Sequence, residues 1–234
     1  MTADAVVQMT AVRKAYGGLR PLRIAALAVA ARERVAVAGP DAHAAEVLIN
    51  LITGASLPDA GEIRVFGRRT ADVADGEAWL SSLDRFGIVS ERAVMLEGAT
   101  LAQNLALPLT LDIDPLPDAI RARAAQLAVE CDIAAEWLDQ PCGQVPADVR
   151  VRVHLARAVA LEPELLLMEH PTAPLAAPAG RAFGEVVRRV AAARGLTVVM
   201  VSLDAEFAQV AADRQLTLDP ATGRLQPVKR GWFR

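Results

Sequence analysis

The chain has 234 residues, 53% of them hydrophobic and 23% charged, which predicts a soluble globular protein with one sizeable core and excludes disorder, collagen and a small disulfide scaffold. Its 25 basic residues are interspersed among 28 acidic ones for a formal charge of -3, so nucleic acid is not an expected partner. No run of about 18 apolar residues occurs, and residues 1–8 carry Asp4 where a leader would be basic, so neither a membrane span nor export is expected.

Residues 6–37 hold short apolar runs parted by Tyr16-Gly17-Gly18 and Arg32-Glu33-Arg34, predicting strands in a small antiparallel sheet. Residues 34–38 read as a buried strand ending in Gly39-Pro40. The spacing of Val47, Leu48, Leu51 and Ile52 then predicts a helix over 44–53. Residues 61–67 and 86–90 read as further strands. From 100 to 144 the spacing turns helical, broken at Pro108, Pro115 and Pro117, so an all-helical insertion is expected, continuing as helix over 150–160. Residues 165–168 and 196–201 are short enough for buried parallel strands, with a crossover helix over 181–194 between them. Cys131 and Cys142 have no histidine pair nearby and read as reduced thiols rather than zinc ligands, with a disulfide between them as the alternative.

Order and spacing together resemble the ATP-binding subunit of an ABC transporter, over roughly residues 6–219. Tyr16-Gly17-Gly18 sits where that family keeps an adenine-stacking aromatic. Leu51-Ile52-Thr53-Gly54 through Pro58-Asp59-Ala60-Gly61-Glu62-Ile63 is similar to the stretch after its phosphate loop. Residues 101–109 are similar to a segment of lipid- and lipoprotein-extracting members. The most specific match is Arg152-Val153-His154-Leu155-Ala156-Arg157-Ala158, then Pro163-Glu164-Leu165-Leu166-Leu167 and Pro171-Thr172-Ala173, which resembles the signature helix and second nucleotide strand. The resemblance implies an α/β fold: a P-loop NTPase (RecA-like) core with an antiparallel β-subdomain and a helical subdomain insertion. It implies one domain over 1–234, with the helical subdomain at about 92–149 and a tail at about 220–234.

That family's phosphate loop runs G-x-x-G-x-G-K-[ST], whose backbone N–H groups and lysine hold phosphates while the hydroxyl binds Mg²⁺. Here the loop is Gly39-Pro40-Asp41-Ala42-His43-Ala44-Ala45-Glu46. Ala42 and Ala44 stand for glycines, Ala45 for the lysine and Glu46 for the hydroxyl. Left-handed backbone would cost each alanine ~1–2 kcal/mol, so a reshaped cradle is expected. Losing a cation about 4 Å from a phosphate forfeits roughly 4 kcal/mol at an effective dielectric near 20, and a carboxylate there costs a similar amount. With half of that swing retained, affinity falls about a thousandfold. The metal-orienting aspartate and the water-activating glutamate appear as Glu169 and His170, the sensing glutamine as Glu91, the switch histidine as Leu203 and the dimer-loop aspartate as Ala176. The L-S-G-G-Q signature aligns with Val145-Pro146-Ala147-Asp148-Val149, placing a negative charge where a partner's γ-phosphate would lie.

These replacements imply a non-hydrolytic structural or regulatory subunit of a membrane transport complex, with no catalytic residue intact and no cofactor required, ATP and Mg binding only weakly. The alternative is an atypical active ATPase driving lipid or lipoprotein transport, with Glu169 and His170 as its working pair. The partners implied are a permease transmembrane subunit and a second ATP-binding subunit, identical or distinct, on the cytoplasmic face of the membrane. Asp41, Glu46, Glu91 and Glu169 with His43 and His170 form a candidate cation site centred on Glu46 and Glu169. The competing expectation is carboxylates that are solvated or paired with arginines such as Arg92, with each histidine capping or hydrogen-bonding locally. Tyr16 is either an adenine platform or a packing residue. His154 reads as a satisfied structural histidine, Trp79 and Trp137 as packing residues, Arg150, Arg152 and Arg157 as a solvated or salt-bridged face, and Trp232-Phe233 as a possible docking end.

Overall fold

The computed structural model describes residues 5–73 and 75–228; Lys229, Trp232 and Phe233, and with them the docking-end reading, lie outside the described residues. Strands β1 (Ala5–Lys14) and β2 (Leu22–Ala30) pair antiparallel from Ala5 opposite Ala30 to Lys14 opposite Leu22. Along β2 burial alternates through Leu22 and Ile24, so one face packs inward. Strand β3 (Arg34–Ala38) does not extend this sheet as the run 6–37 predicts. Val35, Ala36 and Val37 are all buried, and a strand apolar on both faces belongs where both faces are covered.

Helix α1 (Ala42–Thr53) follows, beginning two residues before the predicted 44, and ends on Gly54 at φ +74. Strand β4 (Ala60–Val65) pairs with the free edge of β1, and β5 (Arg68–Arg69) folds back on it, giving the order β2-β1-β4-β5. Helix α2 (Gly76–Leu83) and strand β6 (Phe86–Val89) lead into the helical region, where α3 (Leu101–Ala106) opens with a Thr100–Gln103 capping box and α4 (Asp118–Glu130) precedes α5 (Ala147–Val159). Trp79 donates its indole N–H to the Thr53 carbonyl at 3.0 Å, and Trp137 packs against the helical core, so both are packing residues.

Strand β7 (Leu165–Glu169), helix α6 (Ala177–Arg194) and strand β8 (Thr197–Val201) form the parallel crossover, the helix starting four residues earlier than its spacing predicts because Pro178 suits a first turn. Helix α7 (Ala205–Ala211) and strands β9 (Arg214–Leu218) and β10 (Leu225–Pro227), for which the sequence patterning gives no element, complete a six-stranded sheet of order β10-β9-β3-β8-β7-β6. The stretch read as a tail is therefore partly strand, with Leu225 opposite Leu218. Alternation divides this sheet into two cores. Val35, Val37, Leu165, Leu167, Val199 and Val201 pack with α1 and the four-stranded sheet, while Ala36, Leu166, Met168, Val198 and Met200 pack with the helices. Gly87 permits close approach of β6 to α5, since a Cβ there would stand 2.3 Å from the Ala158 carbonyl oxygen.

His154 corrects an expectation. Its Nδ1 is buried without a hydrogen-bond partner among the described residues, and burial, reinforced by Arg157 and Arg150, pushes its pKa down to about 4. Of the arginines of α5, Arg150 is salt-bridged as predicted, to Glu97 at 2.7 Å, whereas Arg152 and Arg157 are half-buried and donate to backbone carbonyls, of Asp132 at 2.7 Å and Val94 at 2.9 Å. Cys131 and Cys142 are free and buried.

Candidate functional site

The carboxyl ends of β3 and β7 and the segment after β6 meet in a cleft of about 580 Å³ lined by Asp41, His43, Glu46, Glu91, Glu169 and Leu203, with Ala42, Ser90, Arg92, His170 and Ala173 between them. Crevices beyond the carboxyl ends of parallel strands are where open α/β sheets bind ligands. Among the sequence-predicted residues, Tyr16, Gly39, Pro40, Ala44, Ala45 and Ala176 do not line it, nor does the 145–149 segment, whose Pro146 starts α5 without a side-chain cap.

The connection from β3 to α1 is short. Gly39 turns at φ +115 with its α-carbon close against β9, where a Cβ would meet the Leu218 carbonyl at 3.0 Å. Asp41 is the N-cap: its Oδ1 accepts from the Ala44 N–H at 2.8 Å and its carbonyl from the Ala45 N–H at 2.8 Å. Ala42 and Ala44 are thus helical and avoid the left-handed region that glycines would open. Ala45 is fully buried in the core shared with the antiparallel sheet, so its Cβ points away from the cleft.

Arg92 spans the cleft. Its Nη1 donates to Glu46 Oε1 at 2.7 Å and its Nη2 to Glu169 Oε2 at 2.8 Å. The same Glu169 oxygen accepts from Ser90 Oγ at 3.0 Å, and Ser90 Oγ accepts from the Arg92 N–H at 3.2 Å. Glu169 is 7% exposed, which makes its pairing obligatory. Of the four carboxylates, Glu46 and Glu169 pair with an arginine, whereas Asp41 caps α1. A guanidinium, not a gathered ligand set, lies between Glu46 and Glu169, and among the described residues no group of three or more His, Cys, Asp or Glu is placed to hold a metal ion. Ser90 is the member that the sequence reading missed; its only signal is its place at the end of an apolar strand, before Glu91-Arg92.

His170 sits at φ +39, its N–H donating to the Val201 carbonyl at 2.9 Å, and its Nε2 is buried without a partner among the described residues. Leu203 is 68% exposed. Tyr16 packs against the sheet core, and its ring meets the His43 ring edge-on, centroids 4.9 Å apart. Burial, aided by the Asp41 charge, raises the Tyr16 phenol pKa.

A family model described as ABC transporter matches residues 22–173. The chain belongs to the ABC transporter family. Relatives of this ABC chain include the methionine import ATP-binding protein MetN of Caulobacter vibrioides, 32% identical over 206 residues covering 88% of this chain and 61% of that protein. MetN of Brucella abortus is 28% identical over 218 residues, 93% of this chain and 58% of that one. The Fe(3+) ions import ATP-binding protein FbpC 2 of Rhodococcus jostii is 30% identical over 223 residues, 95% and 61%. The chain thus spans about three fifths of the length of the relatives it matches. These relatives are importers by name, not the lipid- and lipoprotein-extracting systems expected from residues 101–109. The cassette MJ0796, in a dimeric post-hydrolysis state bound to ADP and Pi, superposes with TM-score 0.76 at 24% identity, covering 97% of this chain and 100% of that one. The cbiO1 protein of Clostridium perfringens gives TM-score 0.78 at 18% identity, covering 95% and 87%. The fold is that of ABC ATPase cassettes, an α/β P-loop NTPase core.

Proposed function

We propose that this chain is an ATP-binding-subunit homologue of an ABC import system that does not hydrolyse ATP and instead holds or regulates its transport complex through protein contacts. The observation carrying the reading is the Arg92 guanidinium bound to both Glu46 and Glu169 across the cleft. In the family pattern that space holds a triphosphate, its metal and a lysine. Here the helix N-terminal N–H of Ala44 is taken by Asp41, the lysine position is a buried alanine, and the cation is spent on two carboxylates.

The residues present do not fit Mg-triphosphate. An entering anion would displace the Asp41 carboxylate from α1 and face Glu46, and His43 stands against Tyr16 where a base would need the ring. No step of hydrolysis is derived through such a ligand. The reading assigns residues 92–149 as the helical subdomain that meets a permease transmembrane subunit, and a second ATP-binding subunit, identical or distinct, as dimer partner. The dimeric state of MJ0796 supports the latter. A cytoplasmic placement, peripheral on the membrane through the permease, follows from those partners; no helix among the described residues is long and apolar enough to cross a membrane.

A second reading, an atypical ATPase, draws on Glu169 and His170 lining one cleft. Titration of the full chain with a fluorescent ATP analogue and Mg²⁺ separates the two. No saturation up to millimolar analogue is expected, and submicromolar binding, or turnover lost on Glu169→Gln, would overturn the proposal.

A further inference from the structure

A second cleft, of about 460 Å³, opens at the other end of β6, between the β4–β5 hairpin, the C-terminal end of α1 and α2. It shares no lining residue with the cleft around Arg92. Ile52, Val65, Phe66 and Phe86 give it apolar walls. Phe66 is held in the left-handed region at φ +52, in a two-residue turn with Gly67 at φ +80. Its ring packs on Phe86, centroids 5.5 Å apart, and under the Arg85 guanidinium, 3.6 Å from the ring centroid. Packing therefore fixes an aromatic wall where the backbone alone would favour glycine or asparagine.

The hairpin is also overloaded with cations. Arg64 and Arg69 stand directly opposite each other across β4 and β5, an arrangement that repels. One carboxylate, Glu62, takes both, at 2.6 Å from Arg64 Nε and 2.9 Å from Arg69 Nε, with Asp72 3.8 Å from Arg69. Arg85 is matched by Glu164. Arg68 is left over. It pairs in register with buried Val65, and its exposed side chain has no hydrogen bond or ion pair among the described residues. Thr70, 9% exposed and also lining the cleft, has a hydroxyl with no partner there. An exposed guanidinium without a protein partner beside aromatic walls suits a ligand with acceptor oxygens and an apolar body, and the volume lies within the range of small-molecule sites, roughly 300–1,000 Å³.

We propose that this cleft binds a small amphipathic organic anion, an aryl or short-chain acyl carboxylate or sulfonate, with its charged oxygens at Arg68 and its apolar body against Phe66 and Phe86. Charge complementarity selects the anion.

The test titrates the full chain with 8-anilinonaphthalene-1-sulfonate, followed by fluorescence, with octanoate and octylamine as competitors of equal chain length and opposite charge. Saturable binding is expected, displaced by octanoate and not by octylamine. Arg68→Gln should weaken it about tenfold or more, and Arg68→Lys should restore most of the loss. Displacement by octylamine as effective as by octanoate, absence of saturation, or an unchanged affinity in a folded Arg68→Gln chain would each overturn the proposal. The competitor comparison uses the unaltered protein, so it decides even if a variant fails to fold.

Discussion

Removal of Arg92 tests whether the cleft is held together by its own charges. In Arg92→Ala, Glu169, whose side chain is 8% exposed with Arg92 in place, keeps only the Ser90 hydroxyl among its side-chain donors. Hydrogen bonds to charged groups contribute ~1.5–3 kcal/mol, and leaving a buried acceptor short of donors forfeits that in full. Arg92 itself is 48% exposed, so solvent screens the pair and the lower half of that range applies; the Glu46 arm, 36% exposed, adds at most ~1 kcal/mol. The expected loss is about 2 kcal/mol, equivalent to a Tm fall of about 4–8 °C for a chain of this size. Urea denaturation of Arg92→Ala, Glu169→Gln and the double variant, at unchanged m, should give a coupling of about 1–2 kcal/mol. Strictly additive losses, or an Arg92→Ala midpoint indistinguishable from the parent, would show that the pairing holds nothing in place, and the self-satisfied cleft would have to be abandoned.

Protonation of His154 should cost stability in acid. Its pKa is about 4 in the folded chain against 6.5 ordinarily, so the unfolded chain takes up the proton first, and the stability present above 6.5 drains away as pH falls toward 4. After a discount for partial exposure the loss is about 1–2 kcal/mol, and His154→Leu should lose correspondingly less stability than the parent between pH 7 and 4.5; parallel profiles would refute this. Burial pushes the Cys131 thiol up to about 12 and raises Cys142 as well, so neither should react with a disulfide reagent near neutrality until urea opens the core, and stoichiometric labelling of the native chain would contradict that.

Most of the framework was legible in the sequence because it is written in periodicity. Leu165-Leu166-Leu167-Met168 and Val198-Val199-Met200-Val201 are short enough to be strands covered on both sides, and 44–53 has helical spacing, as the structure bears out. Less legible were elements fixed by partners distant in the chain. Leu225–Pro227 is a strand because Leu218 and its neighbours offer an edge, and Arg68–Arg69 because a two-residue turn folds them onto β4. The helical start at Ala42 was hidden for a related reason: Asp41 is both a loop residue by family pattern and an N-cap by chemistry, and the cap prevailed once the glycines were gone.

Side-chain destinations were the hardest to foresee. Charge patterning offered Arg92 as one partner for the cleft carboxylates, beside solvation and a cation, but the bridge from Glu46 on α1 to Glu169 on β7 was not legible, since it requires the parallel register that sets Val89 beside Met168 and so brings Ser90 and Arg92 to the end of β7. The same register explains why restoring one residue is not expected to rebuild the family's chemistry. A lysine at 45 would start from a Cβ packed into the core, with Asp41 still capping the helix and Arg92 still holding Glu46 and Glu169, so its charge would be buried without an anion to meet. Under the proposed reading, Asp41 and the residues at 42, 44, 45 and 46 therefore form one coupled set, closed by an arginine 46 residues away from Glu46 in the chain.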